Sequence, residues 1–148
     1  MQSTAEVKAW LRRGNIAQRR IDELMADKRH EESYVTSITR PLTKRIARLT
    51  PGRGDAGIIN YLDKTADMDI EIREHQKIIN EIMYAVSRIN CYISRMILID
   101  KYIRDFNLYE IAERSERSDR QISRLHAAAL GELLIVLNKL YPNKSEVA

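Results

Sequence analysis

The sequence predicts an all-α chain: a long, coiled-coil-like helical hairpin followed by a C-terminal helix-turn-helix module. Three observations predict it. Only 5 Gly and 3 Pro occur in 148 residues, which favours long helices over a many-stranded sheet. Apolar residues recur at alternating spacings of three and four along two extended stretches, the signature of helices that bury one stripe. A third stretch, from Asn90 onward, breaks into shorter apolar segments separated by polar turns. Hydrophobic residues make up 44% of the chain, enough for a core, and with one Trp and one Phe that core is aliphatic.

The first helix is expected at about residues 4–32. Ser3-Thr4-Ala5-Glu6 reads as a capping box, with the glutamate three residues beyond the serine. Val7, Trp10, Gly14, Ala17, Ile21 and Leu24 then hold one heptad phase, which Lys28 continues and which Gly14 and Lys28 weaken. Residues 33–55 break the pattern with Pro41, Pro51, Gly52 and Gly54 and are expected as a linker. Within it, Leu42, Ile46 and Leu49 oppose Lys44, Arg45 and Arg48, so two basic amphipathic turns there suit phosphates or an acidic protein. A second long helix is expected from about Ala56 to Ser87, with Ile58, Leu62, Thr65, Ile72, Ile79, Met83 and Val86 in phase and Asp69 and Gln76 interrupting. At ~1.5 Å per residue both helices span comparable lengths, and an antiparallel hairpin or pairing between chains buries their stripes equally well. The expected domains are 1–89, the hairpin with its basic linker, and 90–148, the helix-turn-helix.

Net charge is +4, and the excess sits in residues 33–55, with 5 basic side chains against 1 acidic. Such a balance is compatible with a polyanionic partner without demanding one. A lone Cys91 within an apolar helical run forms no internal disulfide and points to a reducing interior. No apolar run approaches the roughly 20 residues of a membrane span, and no signal-peptide core is found, so the expectation is a cytoplasmic protein without a membrane partner.

The C-terminal segment carries the functional reading. Ile93, Met96, Ile97 and Ile103 mark a scaffold helix ending near Asp105. Asn107 to Arg114 forms a second helix, Ser115-Glu116-Arg117 a turn, and Ser118 caps a recognition helix with Asp119 just inside its positive end. Leu108, Ile111, Ile122 and Leu125 are expected to point inward, and Ala112 to sit where two helices cross closely. Asp119, Arg120, Ser123 and Arg124 are left on the outer face, where base edges would lie. The turn carries Glu116 where such turns commonly have Gly, and Arg117 where an apolar residue usually plugs the core.

The string Arg95-Met96-Ile97-Leu98-Ile99-Asp100-Lys101-Tyr102-Ile103, then Glu110-Ile111-Ala112, then Ser118, Gln121-Ile122, Arg124-Leu125-His126 and Ala129-Leu130, resembles region 4 of bacterial sigma factors. More closely, it is similar to the RinA/ArpU-type phage regulators, in which such a module follows a long helical part. The resemblance implies activation of phage late or packaging genes in a bacterial host, with promoter DNA and RNA polymerase as partners. The candidate DNA-contacting set is Arg117, Ser118, Asp119, Arg120, Gln121, Ser123, Arg124 and His126. Other readings are a small terminase-type protein that recognises packaging DNA, and a helical adaptor that binds polymerase.

Catalysis has little support. His30, His75 and His126 lie far apart, Glu71 and His75 make one helical pair on a charged face, and no metal-ligand spacing, phosphate loop or nucleophile motif occurs. No cofactor is expected, and Arg53-Gly54-Asp55 is read as chance. Beyond His126 the recognition helix continues as a ridge of Leu130, Leu133, Leu134, Leu137 and Leu140, too long for one tri-helical head to cover. The hairpin of the same chain or a second copy would cover it. A homodimer is favoured, because Glu116 and Asp119 weaken a single head and two linked heads raise affinity through effective concentration.

Overall fold

The computed structural model describes residues 1–46 and 53–142, with side chains placed for 1–36 and 57–142. Five helices occur in order: α1 (Thr4–Ile46), α2 (Arg53–Ser87), α3 (Tyr92–Tyr102), α4 (Leu108–Arg114) and α5 (Asp119–Leu140), and no strand is found among the described residues. The all-α class with a long helix pair is therefore the observed one. The break expected at Ser33 is absent, since α1 runs on to Ile46 and α2 already begins at Arg53. Between Ser33 and Ile46 the only stop residue is Pro41, and one proline removes one i→i−4 bond from a helix of 43 residues. Loss of heptad phase at Ser33 therefore did not mark a helix end. The two faces expected for Leu42–Leu49 lie outside the described side chains.

By packing, the chain forms two compact units, Met1–Gln18 with Gln76–Ala148, and Arg19–His75. This grouping differs from the sequence division at residue 89, which followed chain order. In the first unit one core gathers Val7, Trp10 and Leu11 of α1, Ile82, Ala85 and Val86 of α2, Ile89 of the turn that follows, Leu98 and Tyr102 of α3, and Ala129, Leu130, Leu133 and Leu137 of α5. Full burial of each large aliphatic side chain stabilises the fold by roughly 1.5–3 kcal/mol. The leucine ridge of α5 is thus covered by the hairpin helices of the same chain, and it supplies no reason for a second copy. Met83, expected in the seam, is 38% exposed, while Ile79, Ile82, Val86 and Ile89 are buried. The buried stripe runs through Ile79, Ile82 and Val86, and Met83 stands about 100° round the helix from Ile82, at the edge of that stripe.

Gly14 is the crossing point of this unit. A Cβ there would meet the Tyr102 carbonyl oxygen at 2.9 Å, Ile82 Cδ1 at 3.0 Å and Ile103 Cδ1 at 3.2 Å. The residue that looks like a gap in the heptad is what lets α1 and α3 approach. An Arg13–Glu81 ion pair at 3.8 Å ties α1 to α2, and the Arg13 guanidinium lies over the Trp10 ring at 5.1 Å.

In the second unit α1 and α2 run antiparallel, as successive ion pairs show: Arg20 with Glu71 at 2.8 Å, Lys28 with Asp69 at 2.8 Å, and Glu31 with Lys64 at 3.6 Å. Lys28 and Asp69, the two charged interruptions of the heptads, are each other's partner. Pairs this open to solvent are screened, so they set register more than stability. Ile21, Leu24 and Thr65 are buried, whereas the expected seam residues Ile58 and Leu62 are 38% and 56% exposed. No described helix is long and apolar enough to cross a membrane.

Candidate nucleic-acid interface

The C-terminal module is built around a small apolar core. Ile97 of α3, Ile111 and Ala112 of α4 and Ile122 of α5 are buried together, with Ile93, Met96, Phe106, Leu108 and Leu125 packed around them. Every inward residue expected from the sequence takes this place, and Ala112, 2% exposed, leaves room for the crossing. Cys91, by contrast, is exposed as the N-cap of α3 and does not sit in an apolar run. Hydrogen bonds, the backbone N–H of Ser94 foremost, hold its thiol below the ordinary cysteine pKa.

The connections between these helices are set by backbone chemistry. Phe106 N–H donates to the Asp100 carbonyl at 2.9 Å after Asp105, which has φ 62, and Asn107 Oδ1 caps α4 by accepting from Glu110 N–H at 2.8 Å. At the other end of α4, Arg117 N–H donates to the Ala112 carbonyl at 3.0 Å and Glu116 N–H to the Glu113 carbonyl at 3.3 Å. That pair of bonds is the Schellman motif, whose residue past the C-cap adopts a left-handed conformation. Glu116 occupies it with φ 55. Its departure from the Gly usual in such turns is therefore a point of stored strain.

Ser118 begins α5 with a full capping box. Its Oγ accepts from Gln121 N–H at 3.2 Å, and Gln121 Oε1 accepts from Ser118 N–H at 3.2 Å. The side chains of Ser118 and Gln121 thus shape the helix end, although both remain exposed. Asp119, Arg120, Ser123 and Arg124 are all exposed. Arg120 and Arg124 lie on the side of α5 opposite buried Ile122, His126 and Ala129, and Ser123 flanks them. Asp119, in the first turn, stands over the same stripe as His126 and Leu130 and not on the outward side expected for it. Arg117 is half-buried and lines a shallow recess with Glu116, Gln121, Arg124 and Leu125. Tyr109, on the exposed side of α4, has its hydroxyl pKa raised by a hydrogen bond to Glu113, with a smaller push from Asp119, so the surface is not uniformly basic.

His126 departs from the expected set. It is 6% exposed, its Nε2 lies 2.9 Å from the Tyr102 hydroxyl, and the two rings stack with centroids 5.8 Å apart. Its position four residues beyond inward-facing Ile122 carries the reason: the same helical face continues into the core. Burial lowers its pKa to about 4, with further lowering by Lys101 and Lys8. Arg12, Lys8 and Lys101, which surround this pair, were not legible as a group, because residues on α1 and α3 meet only in the folded chain.

Among the described residues no group of His, Cys, Asp and Glu is placed to hold a metal ion. No family model, curated protein or solved structure matches the chain.

Proposed function

We propose that the chain is a sequence-specific DNA-binding regulator of transcription that reads duplex DNA with the N-terminal half of α5. The observation that carries this reading is the opposition of faces on one capped helix. Ile122 locks α5 onto α3 and α4, while Arg120 and Arg124 stand on the far side with Ser123 beside them, at a spacing suited to a major groove, and Asp119 is exposed at the start of the helix. Arg120 and Arg124 supply bidentate donors for guanine or phosphate, and Asp119 is an acceptor for a cytosine amino group. Arg117 and Gln121 flank them. The resemblance to sigma-factor region 4 and to RinA/ArpU-type regulators supports activation of phage late or packaging genes, with RNA polymerase as a protein partner in the bacterial cytoplasm. Pairing of two heads on repeated half-sites rests on the weak grip of a head bearing Glu116 and Asp119, and not on the leucine ridge.

The test is selection of bound sequences from a random duplex pool, followed by titration of the selected site. Arg120→Ala and Arg124→Ala should each cost about 1–3 kcal/mol for a base contact and relax specificity at one position. A double variant that binds the selected site as tightly as the wild type refutes the assigned face.

A further inference from the structure

Three features of the molecule lie outside the proposed reading face: exposed apolar residues on α2, the exposed thiol of Cys91, and a recess beside His126. The recess has the most complete chemistry. Its volume is about 360 Å³, at the small end of the roughly 300–1,000 Å³ typical of ligand sites. Lys8 and Arg12 of α1 and Lys101 of α3 line it, the buried His126–Tyr102 pair belongs to its wall, and Asp105 is the one carboxylate present. Asp105 is engaged, since its Oδ1 accepts from Asn15 Nδ2 at 2.8 Å.

Three cations brought together from two helices around one engaged carboxylate leave a net positive field over a partly desolvated surface. The field is felt by the groups that line it. Lys101 and Lys8 both disfavour a proton on His126, and Arg12 opposes the rise that burial causes in the Tyr102 pKa. Like charges are held near one another at a cost that a bound anion relieves. Lysine and arginine donors, with neutral imidazole and phenol beside them, suit a tetrahedral oxyanion with several acceptor atoms.

We propose that this recess binds a phosphate group. It comes either from the backbone of the duplex contacted by α5 or from a free phosphorylated small molecule. The first source rests on the DNA-binding reading above, and the second does not. An oxyanion seated there offsets the Lys8 and Lys101 charges and makes protonation of His126 easier. His126 is therefore a built-in reporter of occupancy.

The experiment follows the His126 ring by NMR in the full chain, with the His126→Gln variant used to assign its signal. Inorganic phosphate, pyrophosphate and a random-sequence duplex are titrated at matched ionic strength against chloride. The expected result is a saturable shift of the His126 signal and a rise in its pKa, both lost in Lys8→Gln/Arg12→Gln, with Lys8→Arg retaining them. A response to phosphate or pyrophosphate alone identifies a free anion as the source. A response to duplex only identifies the DNA backbone, and the salt slope of duplex binding should then fall by about 1 per lost phosphate contact in the glutamine variant. Should the chain bind no duplex, the phosphate arm still decides the recess separately from the regulator reading. No His126 response to any of the three beyond that of chloride overturns the proposal.

Discussion

Acidification should destabilise the first compact unit through His126, by an amount its burial allows to be worked out. The ring is 6% exposed and its folded-state pKa is about 4, against an ordinary value of 6.5. Above about pH 6.5 the ring is neutral in both folded and unfolded chains and adds no pH dependence. Between pH 6.5 and 4 the unfolded chain takes up a proton that the folded chain refuses, so stability falls as pH falls. The slope approaches 1.4 kcal/mol per pH unit, and the total by pH 4 is about 3 kcal/mol. Below that the folded ring protonates too, and the loss levels off. Urea denaturation followed by fluorescence of Trp10, which shares the Tyr102 core, reads this unit directly. The control is His126→Gln, which keeps a hydrogen-bonding group beside Tyr102 and does not titrate. Glu71, whose carboxyl is held below its usual range by Arg20, loses protection in both proteins and cancels in the difference. The wild type should lose about 3 kcal/mol more than the variant between pH 7 and pH 4. Parallel losses in the two proteins would refute the burial argument.

Three further perturbations probe the packing. Gly14→Ala gains about 1 kcal/mol of helix propensity but drives a Cβ against the Tyr102 carbonyl, where overpacking costs about 1–3 kcal/mol, so thermal denaturation should show a net loss. Glu116→Gly relieves the left-handed residue of the turn and should raise the thermal midpoint by a few degrees, for a gain of about 0.5–1 kcal/mol, without altering the α5 face. Leu137→Ala, at a site 1% exposed, should cost about 2–5 kcal/mol in urea denaturation while leaving the mass in sedimentation equilibrium unchanged.

Legibility in the sequence followed the range of the interactions. Ser118 as a cap, Ala112 at the crossing and Ile111, Ile122 and Leu125 as inward residues depend on neighbours within a turn or two, and all of these were readable. Glu116 was readable as an anomaly, and the structure gives it a conformation. The α1 seam from Val7 to Leu24 was readable because one face of one helix stays buried throughout. The α2 seam was not, since Ile79 and Val86 fit a heptad with either Met83 or Ile82 between them, and the fold buries Ile82. The misassignment of His126 has the opposite origin. A polar residue at an inward register looks like a surface contact until its partner, Tyr102, arrives from 24 positions away.

That burial of His126 changes how the two halves of α5 relate. Residues 119–125 carry the proposed reading face, and Ala129, Leu130, Leu133 and Leu137 lie in the core formed with α1 and α2. One continuous helix passes from one task to the other, without a Gly-Pro hinge, and His126 stands at the join. A reading head on a flexible tether would move independently of the hairpin. Here the same helix belongs to both cores, so displacing α1 or the end of α2 would alter the seating of α5 directly. The N-terminal part of α1 and the end of α2 therefore support the helix that carries the proposed reading face, and the sequence boundary at residue 89 falls within a shared core. Excising residues 90–148 would expose Leu130, Leu133 and Leu137 to water, and the reading face would lose the support that fixes its direction. If the recess holds an anion as proposed, the anion would act on His126, which belongs to the same helix as Arg120 and Arg124.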